Sequence, residues 1–158
     1  MKKLRVYVDS SVIGGMFDEN EHPAQTKVFW NAVERGEVVI IASDILDEEM
    51  EGAPQCVRDF FDSLPESQIE HFVSTDESED LAEQYVAVGI VKEKNLNDCR
   101  HIALATIAKA DALVSWNCKH IVKPNRINRY NAINKQLGYS EMRILTPDRY
   151  HEVNRDQN

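Results

Sequence analysis

The fold is decided by the stretch Leu4-Arg5-Val6-Tyr7-Val8-Asp9-Ser10-Ser11-Val12-Ile13, a short β-rich run that ends on a carboxylate. Open α/β sheets bind their ligands beyond the C-terminal ends of the strands, so Asp9 stands where such a protein would place its chemistry. A helix cap explains Asp9 equally well, because aspartate also favours the N-cap position. Further carboxylates arriving at the same place would favour the first interpretation.

Strand and helix patterns alternate along the rest of the chain. Apolar runs predict buried strands at 37–42 and 112–116, and shorter strands at 68–74 and 142–145. Apolar residues at helical spacing predict helices over 23–35, 44–50, 55–64, 76–91, 98–109 and 124–137. This alternation predicts the α/β class: a three-layer α/β/α sandwich with a central, mainly parallel sheet and 1–158 as a single domain.

Composition indicates a globular protein of the cytoplasm. Hydrophobic residues make up 42% of the 158 residues and charged residues 28%, and no apolar run approaches the ~20 residues that span a bilayer. The N-terminal Met1-Lys2-Lys3-Leu4 is a poor secretion signal because Asp9 interrupts the apolar run behind it. Three scattered cysteines, at positions 56, 99 and 118, match no zinc motif and are typical of reduced thiols.

The charge is unevenly distributed. The chain carries a net charge of −9, yet residues 107–158 hold nine Lys and Arg side chains against five carboxylates. A polyanion could meet this basic end while the acidic part stays away from it or binds cations. An ordinary solvated helix face explains the same residues equally well.

Polar side chains follow the predicted strands at three places and open one helix. Asp9 and Asn117 come at strand ends, Glu49 lies in the helix after the second strand, and Asp98 opens the small-residue helix. Because the C-terminal ends of parallel strands share one edge, these side chains are expected to lie close together. Carboxylates without a basic partner repel one another unless a hard cation such as Mg²⁺ or Mn²⁺ binds them, and such a metal assists phosphodiester hydrolysis.

Each of these residues also has a structural explanation. Glu49 belongs to the acidic run 47–51, which suits a solvated helix face. Asp98 could be a first-turn charge that stabilises its helix, and Asn117 could be a turn residue.

The segments that carry these residues resemble a PIN domain, and the whole chain is similar to the VapC-type toxins of type II toxin–antitoxin systems. The resemblance follows the order of four segments: 6–13, 43–49, 97–105 and 110–117. It implies a Mg²⁺- or Mn²⁺-dependent ribonuclease with Asp9, Glu49 and Asp98 as metal ligands. Asn117 stands where the family often has a fourth acid, and Ser115 matches a small hydroxyl position. RNA, a cognate antitoxin and a second copy of the chain are the implied partners.

Several residues after Asn117 are candidates for RNA contacts. The helix over 124–137 mixes basic and amide side chains with Tyr130, a composition suited to single-stranded RNA. The candidates are Lys119, His120, Arg126 and Arg129. Roles in holding loops and sheet edges are the structural alternative. His101, three residues after Asp98, is expected to be a buried, hydrogen-bonded histidine rather than a ligand.

Two rival functions remain at the sequence level. One is a PIN scaffold that binds a partner and has lost activity with the change to Asn117. The other is a phosphatase with Asp9 as nucleophile, but that mechanism needs a second acid two residues later, where Ser11 stands.

Overall fold

The structure is a computed structural model that describes residues 3–153. The predicted domain limits, 1 and 158, lie outside the described residues. The strands are β1 (Leu4–Val8), β2 (Val38–Ser43), β3 (Ile69–Phe72), β4 (Ala112–Val114) and β5 (Ile144–Leu145). The helices are α1 (Ser10–Gly14), α2 (His22–Glu34), α3 (Asp44–Glu51), α4 (Gln55–Asp62), α5 (Asp76–Ala87), α6 (Leu96–Ile107) and α7 (Pro124–Gln136).

The strands form one sheet in the order β3-β2-β1-β4-β5, and every adjacent pair among them is parallel. This confirms the predicted three-layer α/β/α class. The chain leaves β1 toward β2 on one side and later returns to β4 on the other side. The strand order therefore reverses between β1 and β4, and a ligand crevice is expected beyond the ends of these two strands.

Side-chain alternation along β1 explains the two covered faces of the sheet. Val6 and Val8 pack into a core cluster that includes Phe29 of α2. Tyr7 points to the opposite face and packs in a second cluster with Ile102 of α6. Successive residues of a strand alternate between faces, so one strand supplies both cores.

The helix that carries Asp98 starts earlier than its sequence predicts. α6 begins at Leu96, so Asp98 is the third helical residue instead of the first. β4 ends at Val114, two residues before the predicted strand end. Ser115, Trp116 and Asn117 therefore lie in the turn beyond the strand.

Helices that could cross a membrane are absent from residues 3–153, since none of them is both long and apolar enough.

Candidate active site

Asp9 caps a helix and also contacts the turn beyond a second strand. It is the N-cap of α1, where its Oδ1 accepts hydrogen bonds from the Ser11 amide at 3.2 Å and the Ser11 hydroxyl at 2.5 Å. Its Oδ2 accepts a 2.6 Å hydrogen bond from Ser115 Oγ, beyond the end of β4. The register places Val8 beside Val114, so the next residues of β1 and β4 meet at the strand ends. The carboxylate is 4% exposed.

The turn after β4 links Asp9 to Asp98. The backbone N–H of Asn117 donates to Ser115 Oγ at 2.9 Å, and its side-chain Nδ2 donates to Asp98 Oδ1 at 3.1 Å. His120 Nδ1 lies 3.0 Å from the other Asp98 oxygen, Oδ2. A continuous line of polar contacts therefore runs from Asp9 through Ser115 and Asn117 to Asp98 and His120.

Packing around Trp116 fixes the start of this turn. The Trp116 amide donates to Ser11 Oγ at 2.8 Å, and its indole Nε1 donates to Thr26 Oγ1 at 2.8 Å. A Cβ on Gly15 would lie 2.8 Å from Trp116 Cδ1, so only glycine fits against the indole at this position.

Glu49 reaches the site through His101. Glu49 Oε1 lies 2.7 Å from His101 Nε2, and His101 Nδ1 lies 2.6 Å from the Tyr7 hydroxyl. The Tyr7 hydroxyl is 2.7 Å from Ser43 Oγ, which also accepts the Leu46 amide as the N-cap of α3. His101 is 1% exposed, so the sequence expectation of a buried, hydrogen-bonded histidine is confirmed.

The three acids act on one imidazole. Burial lowers the pKa of His101, but its hydrogen bond to the Glu49 carboxylate and the negative charges of Glu49, Asp9 and Asp98 together raise it above its usual value. Burial raises the pKa of Asp9, helped by the charge of Glu49 and opposed by His101 and the serine hydrogen bonds. Hydrogen bonds link Asp9 to Asp98 through Ser115 and Asn117, while Glu49 contacts His101, three residues after Asp98 on α6.

The donor chemistry suits a hard divalent cation, but the geometry is not that of a preformed metal site. Oxygen ligands from carboxylates are those that Mg²⁺ and Mn²⁺ prefer. Across residues 3–153, no group of three or more His, Cys, Asp or Glu side chains is placed to hold a metal ion. Each acid is engaged by protein groups instead: Asp9 by serines, Glu49 by His101, and Asp98 by Asn117 and His120. The metal site stays a prediction.

The basic candidates fall into two groups. Lys119 is exposed in the turn after β4, and His120 stands beside Asp98. Arg126 donates to the Ile90 carbonyl at 2.9 Å, and Arg129 donates to the Val88 carbonyl at 3.0 Å. The two arginines therefore hold the segment that follows α5, while their contact with RNA stays a prediction.

Sequence reasoning missed the link between Tyr7 and His101. Tyr7 looked like one more apolar strand residue, and its hydroxyl gave no local signal. The only available sign was that a histidine interrupts an apolar helix, because a buried imidazole needs partners for both nitrogens.

No family model and no curated protein matches the sequence. Among solved structures, the chain is similar to VapC20 of Mycobacterium tuberculosis, described as a toxin that cleaves the sarcin–ricin loop. The TM-score is 0.55 and the identity 14%, over 87% of this chain and 98% of that one. The chain has a VapC-like PIN-domain fold. This similarity is one of fold alone.

Proposed function

We propose that this PIN domain is a Mg²⁺- or Mn²⁺-dependent endoribonuclease, the toxin of a type II toxin–antitoxin pair. The observation that carries the proposal is the set of hydrogen bonds that links Asp9 to Asp98 beyond the ends of β1 and β4, where the strand order reverses, together with the contact between Glu49 and His101 of the same helix as Asp98. The VapC-like fold supports it, since VapC20 is described as a toxin that cleaves the sarcin–ricin loop. An antitoxin, a second copy of the chain and a cytoplasmic location remain part of the proposal.

Asp9, Glu49 and Asp98 would hold the metal in this proposal. A bound Mg²⁺ or Mn²⁺ lowers the pKa of a water ligand and neutralises charge that develops on a phosphoryl oxygen. The surrounding residues orient the acids: Ser11 and Ser115 hold Asp9, His101 holds Glu49, and Asn117 holds Asp98. Ser115 and Asn117 would complete the polar shell around the metal ligands.

Metal removal tests the activity directly. Purified protein is incubated with end-labelled single-stranded RNA in Mn²⁺, in Mg²⁺ and in EDTA, and the products are separated on a denaturing gel. We expect cleavage in either metal and none in EDTA. Undiminished cleavage in EDTA would contradict the metal-dependent mechanism.

Asp111→Asn is a matched control for this assay. The Asp111 carboxylate accepts the Arg5 amide at 2.8 Å near the N-terminal ends of β1 and β4, away from the site. The variant removes one carboxylate charge and is expected to cleave RNA at the wild-type rate. The same result would show that Asp111 is a structural residue and not a metal ligand.

A partner-binding scaffold without activity is the second candidate. The lack of a preassembled ligand group within residues 3–153, and Asn117 at the fourth acidic position, both favour it. A Mn²⁺ titration separates the two candidates, since a scaffold would bind no metal at millimolar concentrations.

Asn117→Asp is expected to make the fold more dependent on metal. The change replaces the Nδ2 donor with a carboxylate oxygen against Asp98 Oδ1, which loses a hydrogen bond to a charged acceptor worth about 1.5–3 kcal/mol. Thermal unfolding should show a lower Tm than wild type in EDTA and a larger rise in Tm with Mn²⁺. An unchanged Tm in EDTA would show that Asn117 does not restrain Asp98.

A further inference from the structure

A cleft of about 690 Å³ opens beside the Asp98 end of the site. One wall is the connection between α5 and α6, residues 89–95, and the other wall carries Lys119, His120 and Arg126. We call it the lysine cleft, after Lys92, Lys94 and Lys119 in its lining.

The lysine cleft is basic in an acidic protein. Four cationic side chains line it against the single carboxylate of Glu93, whereas the whole chain carries a net charge of −9. Lys92, Lys94 and Lys119 are all exposed. None of the three ammonium groups makes an ion pair or hydrogen bond with another described residue. Their charges are therefore available to a ligand.

The walls of the cleft are fixed. Ile90 and Val91 are buried beneath it, and Arg126 holds the Ile90 carbonyl from the opposite wall. α6 starts at the cleft directly after Asn95, and no side chain caps its N-terminus. A helix N-terminus favours anions because its amides and dipole present partial positive charge. The lysines and the N-terminus of α6 therefore both favour a negatively charged ligand.

His120 joins the cleft to the candidate active site. It lines the cleft, and its Nδ1 lies 3.0 Å from Asp98 Oδ2. A chain held in the cleft would therefore continue toward Asp98.

We propose that the lysine cleft binds the phosphodiester backbone of a single RNA strand and leads it to the acidic site. This inference rests on the proposed ribonuclease function and assigns the substrate path for it. Lys92, Lys94 and Lys119 neutralise phosphates, and the N-terminus of α6 adds a polar contact. An unpaired strand suits a cleft between two walls, because its backbone can enter without the bulk of a duplex.

The test measures RNA binding apart from cleavage. Anisotropy of a fluorescently labelled single-stranded RNA is recorded in EDTA, over a range of salt concentrations, for wild type and for the double variant K92Q/K94Q. The matched control is K27Q/K135Q, which changes net charge equally at two exposed lysines outside the cleft. K92R/K94R keeps both charges and serves as the rescue variant.

Each phosphate contact with a single strand contributes about 0.7 to the slope of log Kd against log salt. We expect the slope for K92Q/K94Q to be smaller than that for wild type by about 1.4. If the two proteins bind equally at 1 M salt, the variant then binds about 25-fold more weakly than wild type at 0.1 M salt. The control and the arginine variant should bind within about twofold of wild type, and all Tm values should agree.

The outcomes separate the two proposals. Equal losses of RNA affinity in K92Q/K94Q and K27Q/K135Q would overturn the RNA-binding role of the lysine cleft. The proposed ribonuclease function would still stand if the wild-type protein cleaves RNA. Binding that is lost selectively in K92Q/K94Q supports the cleft even if no cleavage is seen. Wild-type protein that neither binds nor cleaves RNA would overturn both. RNA binding by K92Q/K94Q that equals that of wild type would also overturn the RNA path.

Discussion

Asp9→Asn is expected to abolish metal-dependent RNA cleavage while the protein folds at least as stably as wild type. Asparagine keeps the shape of the side chain, and the Ser115 hydroxyl can rotate to suit either an oxygen or an amide partner. The change removes one of three charges that would hold the metal. A loss of about 4 kcal/mol of transition-state stabilisation corresponds to a rate about a thousandfold lower.

The stability of this variant follows from the sign of the Asp9 pKa shift. Burial raises the pKa of Asp9 on folding, so its stabilising contribution is complete below the unfolded value of about 3.8 and is lost as the pH rises through the folded value. At neutral pH the ionised carboxylate therefore opposes folding in the absence of a cation. Asparagine removes this cost, so the Tm of the Asp9→Asn variant in EDTA should equal or exceed that of wild type.

Two measurements check the Asp9 prediction together. Mn²⁺ should raise the Tm of wild type and leave that of Asp9→Asn unchanged, and a gel assay should show the thousandfold loss of cleavage. Asp111→Asn, the same substitution at the other end of the strands, should match wild type in both. Cleavage by Asp9→Asn within tenfold of wild type would remove Asp9 from the site.

His101→Ala is expected to destabilise the protein by about 3 kcal/mol and to reduce cleavage as well. The imidazole is fully enclosed and contacts both Glu49 Oε1 and the Tyr7 hydroxyl. Its removal leaves a cavity and leaves both partners without this contact, the class of change that costs most in folded proteins. For a protein of this size the Tm should fall by about 6–12 °C. Glu49 also loses the contact that orients it.

The same variant should change the pH dependence of stability. The pKa of His101 is raised on folding, so its contribution is complete below the unfolded value of about 6.5 and is lost as the pH rises through the folded value. The difference in free energy of unfolding between wild type and His101→Ala should therefore be largest below about pH 6.5 and smaller at alkaline pH. Denaturant titrations at a series of pH values measure it.

Arg100→Ala provides the matched control on the same helix. Arg100 pairs with Glu79 at 3.0 Å, and both side chains are about one third exposed, so the pair should contribute less than about 1 kcal/mol. His101→Gln, whose amide can still donate to Glu49, should recover part of the lost activity. A cost below 1 kcal/mol for His101→Ala would show that the Glu49–His101–Tyr7 contacts are not a structural unit.

Local signals explain what the sequence could predict. The apolar run of β1 ends at Asp9, and the structure gives the strand the predicted limits, Leu4–Val8. Ser43 precedes a helix, a position that serine favours, and its hydroxyl accepts a hydrogen bond from the Leu46 amide. The parallel sheet then required Asp9 and the turn after β4 to meet, as they do.

Contacts between layers explain what the sequence could not predict. The link from Glu49 to Tyr7 depends on how α3 and α6 pack on the sheet, which no short stretch encodes. The early end of β4 has the same origin, since Ser115 and Asn117 leave the strand to bond Asp9 and Asp98. The sequence also could not predict the hydrogen bonds that engage each acid. Because these bonds use the oxygen atoms that would bind a metal, the metal site remains a proposal.

The pairing of β1 with β4 has a consequence for synthesis. The two strands are about a hundred residues apart in the chain, and the acids and their supporting hydroxyl groups come together only when this pair forms. Contacts of such long sequence separation form late in folding, because closing the intervening loop costs entropy first. A nascent chain that has not yet reached Asn117 carries Asp9, Glu49 and Asp98 but has no assembled site. Under the proposed ribonuclease function, a nascent chain is inactive until β4 has been made and has paired with β1.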